Sequence, residues 1–311
     1  SRSHVLTFSR SMIRFIIFIW LISTHVPTWC QVPTSTLIYP EHILLAEEAI
    51  ANEDFKEALN HYHDIHTAGK QLLARDAFHA CQLAAILDAP DFTFFYLECA
   101  KAGVPGKLLK GNIHIWPRME RDSAAFSARY FEGFKTYQSG IDTALRKEFI
   151  ARYNREQGSK GKSNYAMVCE DNFNRIFQLA KAGRLPGENL IGPDDQLGMQ
   201  YVLPTLLHYP YSYTYLRAYL LDALDQGHIS PFQVCYLYGF NQTRTSVLYT
   251  REIPVDKTNF KACYNIAFGR QSDDIAEVDA QRKLRYLPSV ETEMKIKAVA
   301  AKYLIDYREG Y

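Results

Sequence analysis

The chain has 311 residues, and its 35 lysines and arginines nearly balance its 34 aspartates and glutamates. Proteins that bind nucleic acid or an anionic membrane surface usually carry a strong basic surplus or a basic stripe, and this sequence shows neither. We therefore expect no nucleic-acid partner. The length is sufficient for one large domain or two ordinary domains with a sizeable core.

Residues 1–30 look like a secretory signal peptide. Met12 and Arg14 precede the apolar run Phe15 to Ile22, so translation is expected to begin at Met12. The run is much shorter than the roughly 20 residues that a membrane-spanning helix needs. We expect cleavage after Cys30, export to the periplasm or the extracellular space, and no stable transmembrane anchor.

Two amphipathic helical patterns occupy residues 42–66, with a short polar break between them. Small and aromatic side chains recur at Ala46, Phe55, Ala58 and Tyr62. This spacing resembles the tetratricopeptide repeat, in which small residues let two antiparallel helices approach and an aromatic ring fills the gap. The resemblance implies stacked helix pairs whose concave face binds a peptide or protein segment.

A second helix pair is predicted at 74–102, with its break at Pro90. Cys81 and Cys99 lie at equal distances on either side of Pro90, so an antiparallel hairpin would place them at the same height. Two states remain open for these cysteines, a disulfide bond and a pair of buried free thiols.

Three later helix endings look alike, because a proline follows Gly103, Gly183 and Gly227 within two to four residues. Glycine there favours a left-handed C-cap, and the proline prevents the chain from continuing the helix. The recurrence indicates stacked helical units along the whole chain or, as the alternative, three independent helix stops.

These patterns together predict a mostly all-α fold of stacked antiparallel helix pairs, a tetratricopeptide-like α-solenoid. The polar stretch 154–164 is interpreted as a linker between a tetratricopeptide-like region at 31–153 and a C-terminal helical domain at 165–311. Any short strand pair is expected within 244–270.

Part of the second half also resembles a family of bacterial proteins known only as a domain of unknown function. In that family a Gly-Pro turn precedes a histidine-bearing helix and a second glycine-capped helix. The residues that carry this order are Asn174, Gly183, Pro186, Gly192, His208, Gly227 and Gln242. The resemblance implies a helical fold and a bacterial source, but no particular chemistry.

The segment 208–219 concentrates tyrosines more densely than any other part of the chain. If a helix begins just after Tyr211, then Tyr211, Tyr215 and Tyr219 share one face and Tyr213 points elsewhere. Tyrosine combines a flat apolar ring with a polar tip, which suits stacking on a sugar or holding a peptide strand. The alternative is that the stripe packs into a neighbouring helix pair as core.

His208 is a candidate general base, with Asp194 or Asp195 to orient it; the alternative is that it caps a helix or packs. His61, His63 and His66 make a poor zinc site, because only His63 and His66 share a helical face and no acid joins them. We therefore expect no metal site and no cofactor.

The sequence leaves open whether the chain is an enzyme, because the absence of the common hydrolase and nucleotide-binding motifs excludes only the common versions of those chemistries. The first hypothesis is an exported interaction module for a protein or peptide segment in the bacterial cell envelope. The alternative is an envelope hydrolase or a glycan-binding protein that uses His208 and the run Tyr209–Tyr219.

Overall fold

The computed structural model describes residues 37–194, 197, 202–248 and 275–308. Within these ranges 74% of the residues are helical, in fifteen helices and with no strand. The all-α fold class predicted from the sequence is therefore confirmed. In the described part of the chain, we find no helix whose length and apolar character would let it cross a membrane.

The helices are numbered here in chain order. They are α1 (Ile38–Ala51), α2 (Phe55–Thr67), α3 (Ala74–Ile86), α4 (Phe92–Lys101), α5 (Gly106–Gly111), α6 (Ile115–Glu120), α7 (Ser123–Gly140), α8 (Thr143–Ser159), α9 (Tyr165–Lys181), α10 (Glu188–Ile191), α11 (Val202–Leu207), α12 (Ser212–Asp225), α13 (Pro231–Leu248), α14 (Ile275–Lys283) and α15 (Val290–Tyr303).

The first two helices form a hairpin, because only three residues separate α1 from α2. The Asp54 side chain accepts a hydrogen bond from the Glu57 backbone N–H at 3.1 Å and so caps the start of α2. All four residues that carry the tetratricopeptide resemblance are buried in one core; they are Ala46, Phe55, Ala58 and Tyr62. Small and aromatic side chains thus fill the interior of this hairpin.

Helices α3 and α4 form the next pair, and Cys81 and Cys99 meet inside it. Both thiols are free in this structure and fully buried. The Cys99 sulfur donates a hydrogen bond to the Ala77 carbonyl oxygen at 3.2 Å, and burial together with a hydrogen bond to Cys81 raises the pKa of the Cys99 thiol. The two cysteines therefore lie side by side, and a disulfide between them stays a prediction.

Two hydrophobic cores hold the molecule together. The first is built by α1 to α6 and also takes in Ile296 and Val299 of α15. The second is built by residues of α8 to α13, with Phe149, Ile176 and Leu206 among its fully buried members. Helix α15, which the sequence assigns to the region 165–311, thus contributes to the core of the first helix pairs.

Contacts between the beginning and the end of the described chain distinguish this fold from an open helical array. Lys302 and Tyr303 at the end of α15 both bind the Glu53 carboxylate, at 2.8 and 2.6 Å. At the other end of α1, Asp225 of α12 accepts a hydrogen bond from the Ile38 N–H at 2.8 Å. In an open array each unit contacts only its neighbours. Here α1 contacts both α12 and α15.

Two local expectations differ from the structure. The stretch 154–164 is not a loop throughout, because α8 continues to Ser159 and buries Glu156 completely. Its polar composition resembles that of a loop, but buried partners satisfy the Glu156 carboxylate. In the expected strand pair at 244–270, Val247 and Leu248 belong to α13. Residues 249–270 lie outside the described part.

The three predicted glycine endings are confirmed. Gly103, Gly183 and Gly227 all have positive φ angles, of 82°, 68° and 72°, shortly after the last residues of α4, α9 and α12. Gly227 is also sterically confined, because a Cβ atom there would lie 2.2 Å from the Gln71 carbonyl oxygen. Glycine at this point therefore lets α12 end directly against the chain that leads into α3.

Candidate functional site

Tyr213, Tyr215 and Tyr219 lie on α12, which begins at Ser212, and Tyr211 is its N-cap residue. The rings of Tyr215 and Tyr219 both contact Phe177 of α9, with centroids 6.3 and 6.4 Å apart, and Tyr211 lies 6.4 Å from Tyr215. Tyr213 points to a different neighbour, Tyr238, whose ring lies 4.9 Å away. The division of the tyrosines between two faces, as predicted from the helical spacing, is confirmed.

Two further rings extend this surface. Phe173 stacks on Phe177 at 5.5 Å and on Tyr209 at 4.3 Å, with interplanar angles of 15° and 14°. We call this surface the aromatic strip; its members are Phe173, Phe177, Tyr209, Tyr211, Tyr215 and Tyr219.

The aromatic strip is partly core and partly surface. Phe173 is buried, whereas 56% of Tyr215 is exposed. Tyr211, Tyr219 and Phe177 are half-buried, and the Lys181 ammonium lies 4.3 Å from the Phe177 ring centroid. The buried rings fix the orientation of the exposed ones, so the strip presents a preformed apolar surface that ends in a positive charge.

His208 lies beside a buried carboxylate. Its Nδ1 atom is 2.5 Å from Oε1 of Glu156, while Oε2 of Glu156 accepts a hydrogen bond from the Asn172 side-chain amide at 2.8 Å. The His208 ring also contacts Tyr165 and Phe240, at 5.7 and 5.4 Å. Glu156, Asn172 and His208 thus connect α8, α9 and the end of α11 inside the second core.

Glu156 was missed by sequence reasoning, which considered Asp194 and Asp195 as the acids beside His208. Asp194 lies in the turn after α10, and Asp195 lies outside the described residues. Glu156 precedes His208 by 52 positions and stands in a polar stretch that is typical of a loop. A sequence signal for this contact is absent, because only the packing of α8 against α11 brings the two residues together.

A second buried polar cluster lies in the first core. The Arg75 guanidinium is 2.9 Å from the Asp76 carboxylate and 3.8 Å from Glu47. The Tyr39 hydroxyl donates to Asp76, and the Tyr307 hydroxyl donates to Glu47 at 3.2 Å. One cation thus faces two carboxylates, and two tyrosine hydroxyls provide the remaining hydrogen bonds.

Burial raises the pKa of Glu47 to about 7, and the nearby Arg75 offsets only part of this effect. Burial alone would lower the pKa of Arg75, but the carboxylates of Asp76 and Glu47 raise it above its ordinary value. Glu47 is therefore a carboxyl group that exchanges its proton near neutral pH. The sequence signal that was missed is Arg75-Asp76, a charged pair inside an otherwise alanine-rich helix.

The three histidines of α2 face different polar partners. His63 Nε2 lies 2.8 Å from an Asp91 carboxylate oxygen and its ring stacks on Phe94. The exposed His66 lies 3.7 Å from Glu98. His61 instead faces a histidine of α1. His63 and His66 share a helical face, as the three-residue spacing predicts, since both of their rings contact Phe94.

Two clefts open on the described surface. The larger, of about 800 Å³, lies between α5 and the end of α15 and is lined by Leu108, Ile113 and Leu304 among others. The smaller, of about 440 Å³, is lined by residues that include Lys70 and Tyr137. Neither cleft contains His208 or a tyrosine of the aromatic strip.

No protein-family model matches the chain, and neither a curated protein nor a solved structure matches it.

Proposed function

We propose that this chain is a helical interaction module that binds a protein or peptide segment on its aromatic strip. The observation that carries the proposal is the continuous run of rings across α9 and α12. In this run 56% of Tyr215 is exposed, whereas Phe173 is buried. A stripe that served only as core would bury its rings, whereas this one keeps a ring face open to solvent.

The dimensions of the strip suit an extended peptide. From Tyr211 to Tyr219 it follows α12 for about 12 Å, since a helix rises about 1.5 Å per residue. About four residues of an extended chain cover that length. Tyrosine rings offer large contact areas at a low cost in side-chain entropy, and their hydroxyl groups can bind peptide carbonyl oxygens.

The proposal also includes a tetratricopeptide-like hairpin at α1 and α2 and export of the chain. The buried Ala46, Phe55, Ala58 and Tyr62 support a tetratricopeptide-like origin for the hairpin of α1 and α2. The apolar run that follows Met12 and Arg14 supports a signal peptide and therefore a place in the cell envelope.

The test is a selection of peptides from a random display library, with the wild-type protein as bait. We expect the selected peptides to bind the wild-type protein and to bind Tyr215→Ala at least about tenfold more weakly, because the exposed ring supplies central contact area. Isothermal titration calorimetry measures both dissociation constants.

The matched control is Phe131→Ala, since Phe131 is an aromatic residue of α7 that is 63% exposed and lies outside the aromatic strip. This variant should bind the selected peptides as tightly as the wild type does. Peptides that bind all three proteins equally, or a selection that yields no binder, would contradict the proposal.

A second candidate function is hydrolysis of an envelope glycan or peptide, and the contact of Glu156 with His208 favours it. A carboxylate bound to one imidazole nitrogen fixes the orientation of the ring, as general-base catalysis requires. The test is turnover of peptidoglycan fragments by the wild-type protein, His208→Ala and Tyr215→Ala. Turnover that only His208→Ala abolishes would support the hydrolase over the binding module.

A further inference from the structure

Three potential ligand atoms converge between the first two helices. His42 stands on α1, and His61 and Asp64 stand one helical turn apart on α2. The two Nδ1 atoms of His42 and His61 are 3.3 Å apart, and His42 Nδ1 lies 3.6 Å from Oδ2 of Asp64. All three ligand atoms lie within 4.8 Å of one another.

We propose that His42, His61 and Asp64 bind a divalent transition-metal ion, with Zn²⁺ as the best fit. Two imidazole nitrogens that bind Zn²⁺ tetrahedrally at about 2.05 Å lie about 3.3 Å apart, which is the separation found here. Two histidines with one carboxylate are a ligand set of zinc sites that keep a coordination position open for water.

The Glu57 carboxylate lies on the side of the His61 ring that faces away from His42. Nε2 of His61, the nitrogen that faces away from His42, lies 3.6 Å from Oε1 of Glu57. The Asn60 side-chain amide holds the other oxygen of Glu57 at 2.9 Å. At 3.6 Å the exposed Glu57 carboxylate is a weak partner, and its charge on this side favours the proton on Nε2 and the lone pair on Nδ1, which faces His42. Metal-binding histidines usually have such a partner.

The site is open to solvent on one side. The side chains of His42 and His61 are 26% and 15% exposed, whereas that of Asp64 is 57% exposed. An ion can therefore enter over Asp64, and a water molecule can take the fourth position. Because the ligands come from both helices, the bound ion would hold α1 and α2 together.

The alternative to a bound ion is a direct hydrogen bond between His42 and His61. A hydrogen bond from Nδ1–H of His42 to Nδ1 of His61 would satisfy both nitrogens without an ion. In that arrangement Asp64 contributes little, because an exposed carboxylate at 3.6 Å is a weak partner. The effect of replacing Asp64 therefore distinguishes the two states.

The experiment is a titration of the metal-free full chain with ZnCl₂ by isothermal calorimetry, repeated with CoCl₂ to record the visible absorption of bound Co²⁺. We expect one Zn²⁺ per chain. His42→Ala should weaken binding by about 100-fold, and Asp64→Asn by about tenfold, since each removes one ligand. Saturating Zn²⁺ at about 100 times its dissociation constant should raise the Tm by about 5 °C.

The matched control is His66→Gln, an exposed histidine of the same helix that lies outside this triad. It should bind Zn²⁺ as the wild type does. Asp64 is exposed, so Asp64→Asn should fold normally even if His42→Ala does not, and circular dichroism checks both. Absence of one-to-one binding, binding that Asp64→Asn leaves unchanged, or an equal loss in His66→Gln would overturn the proposal.

Discussion

Individual buried charges set the pH response of this protein. Glu47 lies in the first core beside Arg75 and the Tyr307 hydroxyl, and burial raises its pKa from 4.5 to about 7. In the unfolded chain the same carboxyl group would titrate near its ordinary value. The folded protein therefore binds more protons than the unfolded chain between about pH 4.5 and pH 7.

This difference predicts that Glu47 lowers the stability as the pH rises. Its contribution is fully present below about pH 4.5, and it is lost by about pH 7, with a decrease of up to about 3 kcal/mol in the free energy of unfolding. Glu47→Gln should remove this part of the slope while it keeps an acceptor for Tyr307. Urea unfolding at pH 5.0 and pH 7.5 measures the free energy of unfolding of the wild type and of Glu47→Gln. An equal change between the two pH values in both proteins would refute the raised pKa of Glu47.

The buried carboxylate of Glu156 has a structural role that can be tested separately. Its two oxygens bind His208 and the Asn172 amide, so Glu156→Ala would leave both of these buried polar groups without that partner. We expect a loss of about 3 kcal/mol in the free energy of unfolding. Glu132→Ala, at an exposed position of α7, should change it by less than about 0.5 kcal/mol. A similar small loss for both variants would contradict the structural role.

Helical spacing in the sequence predicted which residues share a face of one helix. It did not predict contacts between distant helices. The shared face of Tyr211, Tyr215 and Tyr219 follows from a period of 3.6 residues, and the structure contains it. The contact of His208 with Glu156 has no local signature, because it depends on how two helices pack.

At the scale of elements, α15 shows how a terminal helix stabilises the first core. Ile296 and Val299 are buried against the helices that begin the described chain, and Lys302 binds Glu53 at the turn between α1 and α2. The sequence was sufficient to predict helices in the region 165–311, which contains α15. It could not indicate which core the helix joins, since an apolar face fits any complementary surface.

A pair of substitutions in α15 tests this packing. Ile296 is fully buried, and Ile296→Ala should lower the free energy of unfolding by about 3 kcal/mol through lost burial and a residual cavity. Met294 is 67% exposed on the same helix, so Met294→Ala should change it by less than about 0.5 kcal/mol. Guanidinium unfolding measures the free energy of unfolding of both variants, provided that the m-value is unchanged. An equal loss in Ile296→Ala and Met294→Ala would show that α15 does not pack as described.

At the scale of the described molecule, the contact of α1 with α12 joins the first core to the second. The helical fold class follows from the periodic apolar patterns, whereas the way the helices meet does not follow from any single segment. The second core holds α9 and α12 in place and leaves Tyr215 of the aromatic strip exposed. The central claim of the proposed function is that a peptide binds on this preformed strip.

Hydrogen exchange with mass spectrometry, on the full chain with and without a selected peptide, tests that claim most directly. We predict that the peptide slows exchange in the segments around residues 173–181 and 209–219, which contain the strip, and leaves α7 around Phe131 unchanged. Protection that is confined to the cleft at Leu108, Ile113 and Leu304, or protection that is absent from both strip segments, would contradict it.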